Sequence, residues 1–172
     1  EGFVADEIDV SHVLRDSDAP SGVGLIFVDE RGENSIAVAS GANAQVTPSD
    51  VEAARHTIGS ADVLVMELEI PLETVRAAAE LADEQHVRVI LNPAPAQPLG
   101  EEILRHISVL TPNETEAELL TGLEVSSESE VEAAASALFT MGVDAVLITL
   151  GPRGAFIRDA DHSELVPGFE VE

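Results

Sequence analysis

The chain contains no cysteine, lysine, tryptophan or tyrosine. Without cysteine there are no disulfides and no thiolate metal sites. Without lysine, every permanent positive side chain is one of 8 arginines. They form no basic stripe that could neutralise a phosphate backbone, which argues against a nucleic-acid partner. Aromatic residues make up only 3%, so any core must be built from Ala, Val, Leu and Ile. No apolar run approaches the roughly 18 residues of a membrane-spanning helix. No basic-then-apolar leader opens the chain.

Acid is abundant. There are 33 Asp and Glu against the 8 bases, a net charge of −25. Hydrophobic content is 45%, too high for a disordered acidic tail. Acid spread over the surface of a foldable chain is a halophilic device. The expectation is therefore a cytoplasmic protein of a salt-rich cell, its charge an adaptation rather than a function. A length of 172 residues suffices for one domain with a real core. The chain opens without Met and stops on Phe-Glu-Val-Glu, and the expectation is a piece of something longer.

Two β-branched runs, Val23 to Val28 and Ser35 to Ala39, flank the polar loop D-E-R-G-E-N and predict a β-hairpin. Alternation at Ile8, Val10, His12 and Leu14 predicts a weaker strand before it. After Asn43 the pattern changes. Thr47-Pro48-Ser49-Asp50 opens a helix reaching about Ile58, with Pro48 near its first position. A strand at 61–66 follows. Leu72 to Glu84 is an amphipathic helix, with Leu72, Val75, Ala79 and Ala82 on one face. Strands at 87–91, 107–110 and 144–150 alternate with helices from Thr111 to Gly122 and behind Ser127-Glu128-Ser129-Glu130, a capping-box pattern. Ala155 to Arg158 and Glu164 to Val166 suggest a last hairpin. Continuous apolar strands alternating with helices imply a mostly parallel α/β sheet over 47–172, with residues 1–46 a separate small sheet.

In such sheets ligands bind beyond the carboxyl ends of the strands. Glu69, the Asn92-Pro93-Ala94-Pro95-Ala96 loop, Thr111, Asn113 and Glu116, and Gly151-Pro152-Arg153-Gly154 all follow strands. Spacing alone does not choose Glu69 over Glu67. The glycine turn is either an anion-facing nest or a plain β-turn. Asn113 and Glu116 are either a reciprocal helix cap or, if Thr111 caps the helix, free for a ligand or Mg2+. The five histidines show no ligand spacing, and the Asn113-Glu114-Thr115 sequon is incidental without a secretory signal.

Six segments carry a resemblance: S-G-V-G-L-I-F-V (21–28), G-E-N-S-I (32–36), S-G-A-N-A (40–44), L-N-P-A-P-A (91–96), L-T-P-N-E-T-E-A-E-L-L-T-G (110–122) and V-L-I-T-L-G-P-R-G (146–154). Over essentially its full length the chain resembles the phosphofructokinase-B-type carbohydrate kinases, and within them the ribokinase group. The resemblance implies a ribokinase-like three-layer sandwich with a mostly parallel sheet and a small β-sheet lid. It implies ATP-dependent phosphorylation of the ribose 5-hydroxyl, with Mg2+ and a monovalent cation (K+), by a homodimer joined through the lid. Carried over, Asn113 contacts nucleotide phosphates and Glu116 organises Mg2+, which leaves the cap at least partly to Thr111. Thr149, Leu150, Gly151, Pro152, Arg153 and Gly154 match the nucleotide-binding turn, although Pro152 removes one N–H. Glu69 matches the acid that binds ribose hydroxyls. Ile36 and Gly24 lie over the sugar.

Two family motifs are absent: the amino-terminal G-G-K-G-A-N and the carboxyl-terminal G-A-G-D that bears the catalytic Asp. The base is expected beyond Glu172, so these residues alone are expected not to catalyse. Alternatives are a deoxyribokinase, fructokinase or nucleoside kinase, or a non-catalytic sugar- or nucleotide-binding relative. No G-x-G-x-x-G follows a strand, which disfavours a dinucleotide oxidoreductase.

Overall fold

The structure is a computed structural model that describes residues 2–30 and 34–169. The tip of the expected 29–34 loop, residues 31–33, and the last three residues lie outside the described ones. The chain divides after Val46 into two compact units.

In the first unit, a short helix α1 (Gly2–Ala5) precedes the antiparallel pair β1 (Val23–Val28) and β2 (Asn34–Ala39). Register runs from Val23 opposite Ala39 to Val28 opposite Asn34. Leu25, Ile26, Phe27, Val28, Ile36 and Val38 are all exposed. The strand expected at Ile8–Leu14 does not form. The Asp9 carboxylate accepts the Ser11 N–H at 2.8 Å, and Val13 N–H donates to the Val10 carbonyl. Such local bonds hold the backbone in turns and compete with strand pairing.

The second unit holds a six-stranded sheet in the order β3 (Val63–Met66), β4 (Arg88–Leu91), β5 (Val109–Leu110), β6 (Ala145–Thr149), β7 (Ala155–Arg158), β8 (Ser163–Val166). The first three pairings are parallel and the last two antiparallel. The sheet is thus mostly parallel, with the expected closing hairpin added to β6. Its helices are α2 (Pro48–Ala53), α3 (Arg55–Gly59), α4 (Leu72–Glu84), α5 (Glu101–Leu104), α6 (Glu114–Thr121) and α7 (Glu128–Thr140).

The single helix expected from Thr47 to about Ile58 is two. Ala54 sits at φ −92°, ψ 3° between α2 and α3, outside helical geometry. Both short helices pack on α4, and Arg55 at the break pairs with Glu52 and, at 3.5 Å, with Glu84 of α4. No Gly or Pro marks the break. By contrast α4 spans the residues its periodicity predicts. Val75, Ala79 and Ala82 are fully buried, joined by Val89 and Leu91 of β4, Leu110, Val146, Ile148 and α7's Val131, Ala134, Ala135 and Leu138. This small-aliphatic core does what aromatics do elsewhere, through close packing of many short side chains.

Candidate active site

Because β3 to β6 run parallel, the residues after each of them emerge at one sheet edge. Glu69, Asn92, Asn113, Glu116 and the 149–154 turn therefore share that edge, where α/β proteins bind ligands.

The clearest geometry is at the start of α6. Asn113 is the N-cap: its side-chain oxygen accepts the Glu116 N–H at 2.8 Å, and a Glu116 carboxylate oxygen accepts the Asn113 N–H at 2.8 Å. This reciprocal box corrects the assignment of the cap to Thr111. The Thr111 hydroxyl instead faces the Leu91 carbonyl at 3.4 Å, because the helix begins at Glu114 rather than at Pro112. Capping and ligand binding are not exclusive here. Glu116 is buried, yet only its Oε2 takes the Asn113 bond. No buried side-chain polar atom among the described residues lacks a partner, so its second oxygen keeps solvent contact. A carboxylate fixed at one oxygen and open at the other is pre-oriented. Gly122, at φ 71°, ends the helix with its N–H on the Glu118 carbonyl at 2.7 Å.

The end of β6 is bound to the segment that enters this helix. Thr149 N–H donates to the Pro112 carbonyl at 2.9 Å, and Asn113 bridges to Thr149 in parallel register. Within the turn, Leu150 N–H donates to Gly154, Arg153 N–H to Leu150 and Gly154 N–H to Gly151. Pro152 has no N–H, so the Gly151 N–H is the one backbone donor of the turn without a described backbone acceptor. The turn is therefore no multi-donor anion nest. Gly154 sits at φ 101°, and a Cβ there would lie 2.0 Å from the Val166 carbonyl oxygen. Its glycine serves the close approach of the chain leaving β8. Gly151, at φ 54°, opens on free space. Arg153 reaches out of the turn: its guanidinium donates to the Ser126 carbonyl at 2.9 Å and to the Glu114 carboxylate.

After β3, Leu68 N–H donates to the Ala94 carbonyl at 2.8 Å, and the Gln97 amide to the Leu68 carbonyl at 3.3 Å. The segment holding Glu67 and Glu69 is thus zippered to the 92–97 loop. The exposed Glu67 carboxylate folds back to accept the Glu69 N–H. No described hydrogen bond or ion pair engages the Glu69 carboxylate, which leaves Glu69 the available acid of the two. Gly24 and Ile36 are neighbours in the first unit: a Cβ on Gly24 would meet the Ile36 Cγ2 at 3.8 Å.

A cavity of about 840 Å³ lined by Phe3, Val10, Val13 and Leu14, among others, lies wholly in the first unit. It holds none of the candidate residues, and its lining mixes these apolar side chains with Arg15, Asp16 and Ser21. No cluster of three or more His, Asp or Glu suited to a metal exists among the described residues. One open carboxylate fits a cation that arrives with phosphate oxygens and water, as Mg2+ does, not a protein-caged metal. Sequence reasoning missed Glu114 and Ser126 as partners of Arg153. Glu114 lies 39 residues from it, and no local pattern links the two. No helix among the described residues is long and apolar enough to cross a membrane.

An open, mostly parallel sheet with an amide, carboxylates and a glycine turn at its strand ends defines an α/β ligand-binding class. Comparison with known proteins narrows it. Residues 3–172 match the pfkB family carbohydrate kinases, and the chain belongs to that family. It is 42% identical to the ribokinase of Haemophilus influenzae, over 99% of this chain and 56% of that protein. It is 43% identical to the bifunctional ribokinase/ribose-5-phosphate isomerase A of Fructilactobacillus sanfranciscensis, over 100% of this chain and 32% of that one. The deoxyribokinase of Salmonella typhi is 35% identical over 95% of this chain and 54% of its own. Among solved structures, Sa239 superimposes with a TM-score of 0.92 at 37% identity, over 99% of this chain and 56% of its own. Arabidopsis thaliana ribokinase complexed with ribose and ATP does so at 0.73 and 27%, over 87% and 49%. The fold is the ribokinase-like one. The chain spans about half the length of the single-function ribokinases it matches.

Proposed function

We propose that the protein carrying these residues is an ATP-dependent ribokinase. It transfers the γ-phosphoryl group to the 5-hydroxyl of D-ribose, giving ribose 5-phosphate and ADP. One observation carries the reading furthest: the Asn113–Glu116 box and the 149–154 turn are bonded together at the carboxyl edge of the sheet, in a chain 42% identical to a ribokinase.

The ribose 5-oxygen attacks the γ-phosphorus. A new O–P bond forms, the bond to the β–γ bridging oxygen breaks, and the hydroxyl proton passes to an Asp base outside these residues. Asn113, its side-chain oxygen held by the cap, presents its NH2 to phosphate oxygens. The open oxygen of Glu116 is the carboxylate for phosphate-borne Mg2+, which supplies charge neutralisation when bound. Glu69 accepts sugar hydroxyls. Ile36 and Gly24, on the β1–β2 pair, act as a lid wall against water. Thr149 to Gly154 border the nucleotide, with Gly151 as the open backbone donor. A monovalent cation such as K+ assists, and the exposed apolar β1–β2 pair joins two copies in a cytoplasmic homodimer.

Deoxyribokinase is the second reading, favoured by the 35% identity to the Salmonella enzyme. The two differ at one sugar hydroxyl, and a site built to bond a hydroxyl rejects the analogue lacking it strongly. Steady-state kinetics of the full-length gene product over ribose, deoxyribose, fructose and nucleosides tests the proposal. Ribose should give the highest kcat/KM, with ribose 5-phosphate as product. A preference for deoxyribose would transfer the reading to the second enzyme, and sugar binding without transfer would make the protein a non-catalytic relative.

A further inference from the structure

We infer that Arg153 is a positioning residue for the nucleotide site, not a nucleotide ligand. It holds the turn after β6 against the first turn of α6 and so sets the spacing of Gly151 to Asn113 and Glu116. The inference rests on the kinase reading above and deepens it.

Two ties join this turn and the end of β6 to α6 and the segments flanking it. One is the backbone bond from Thr149 to Pro112 at 2.9 Å, on the strand side. The other is Arg153, on the far side of the turn, with one guanidinium nitrogen on the Ser126 carbonyl at 2.9 Å and the other on Glu114. The β6–β7 pairing and the Leu150 N–H to Gly154 carbonyl bond close the turn on itself, but they do not fix its outer end against α6. Arg153 supplies the side-chain tie from that outer end to Glu114 and to the loop before α7. The fork geometry of arginine suits this, since one planar group reaches two acceptors on separate segments.

The chemistry of Glu114 supports the same assignment. The first turn of α6 carries two acids, Glu114 and Glu116. A helix N-terminus favours a polyphosphate, but an uncompensated carboxylate there repels one. Arg153 neutralises Glu114 and leaves Glu116 as the single active charge. Few arginines are available for such work. Among the described residues Arg55 and Arg76 pair with acids on helices α2 and α4, and Arg158 donates to carbonyls of the β7–β8 turn. Arg153 is the one joining two segments at the candidate site.

The test is the full-length gene product with Arg153→Ala, Glu114→Ala, both together, and Arg153→Lys, assayed for the KM of MgATP, the KM of ribose and kcat. A partly exposed ion pair is worth up to about 1 kcal/mol, or roughly fivefold. Each alanine variant should raise the MgATP KM by about two- to fivefold and leave the ribose KM unchanged. The double variant should be no worse than Arg153→Ala, since the two share one interaction. Arg153→Lys, which keeps the charge but loses the fork, should recover part of the loss. An unchanged MgATP KM in Arg153→Ala, equal shifts in both KM values, or tighter nucleotide binding by Glu114→Ala would overturn the inference. The last result would mean that a freed guanidinium contacts phosphate directly. If Arg153→Ala does not fold, Arg153→Lys and Glu114→Gln carry the same comparison. A wild type that phosphorylates ribose while Arg153→Ala matches it removes this inference alone. A wild type that binds no nucleotide removes the kinase reading as well.

Discussion

Asn113 has two tasks that substitution can separate. Its side-chain oxygen caps α6, while its amide hydrogens are the groups proposed to meet phosphate. Asn113→Ala removes both and should cost about 1 kcal/mol of stability, the usual value of an N-cap. Asn113→Asp keeps a cap of equal quality but replaces a donor with a negative charge. It should melt like the wild type and bind ATP at least about fivefold more weakly, since a like charge at close range costs on the order of 1 kcal/mol or more. Paired thermal melts and ATP titrations check this, and unchanged ATP affinity in Asn113→Asp would confine the residue to its cap. The sequence offered two overlapping caps here, and residue types alone did not choose between them. The choice depends on where the chain leaves β5 and on the Leu91 carbonyl that engages Thr111, a contact across 20 residues.

Helix α7 shows how far local pattern reaches. Its Ser127-x-x-Glu130 box was readable as such and forms as expected, with Ser127 N–H on the Glu130 carboxylate at 2.7 Å. The Ser126 hydroxyl adds a bond at 2.6 Å. The Ser126 hydroxyl foremost, and then the Ser127 N–H and hydroxyl, push the Glu130 carboxyl from its ordinary 4.5 down to about 2. A depressed carboxyl stabilises the fold fully above its unfolded value and loses that contribution as pH falls through the folded one. The window is therefore about pH 4.5 to 2. Acidification also relieves the acid–acid repulsion of the whole chain, so the isolating comparison is wild type against Glu130→Gln, which can still complete the box. The stability advantage of wild type should shrink across that window, and parallel curves would contradict the assignment. Where periodicity and capping act within one element, as in α4 and α7, the sequence was legible. It was not where tertiary packing intervenes: the break at Ala54 follows the surface of α4, and the failed strand at 8–14 follows side-chain bonds that make turns. The antiparallel attachment of β7 to β6 was half legible, since the hairpin was expected but its partner was not.

At the scale of the whole molecule the dominant fact is charge: −25 on 172 residues, with ion pairs at the surface. Arg55, Arg76 and Arg153 each hold an acid, all on half-exposed side chains. Such pairs are individually weak and far too few to offset the excess acid. Self-repulsion should therefore limit stability at low salt. Raising KCl from about 0.1 to 1 M shortens the screening length from about 10 to 3 Å and should raise the melting temperature. A flat or falling melting temperature would contradict a salt-adapted surface.

The family assignment and the geometry at the sheet edge meet in Glu116. The most direct measurement is phosphoryl transfer from ATP to ribose by the full-length gene product, wild type beside Glu116→Gln, with melting temperature recorded for both. Glutamine can still accept the Asn113 N–H and complete the capping box, so stability should hold. It lacks the charge proposed to organise Mg2+, so kcat should fall by at least about a hundredfold, the usual scale of losing one electrostatic contact to the transition state, while the ribose KM stays the same. Equal transfer by both proteins would mean that Glu116 only caps a helix, and would contradict the account at its centre.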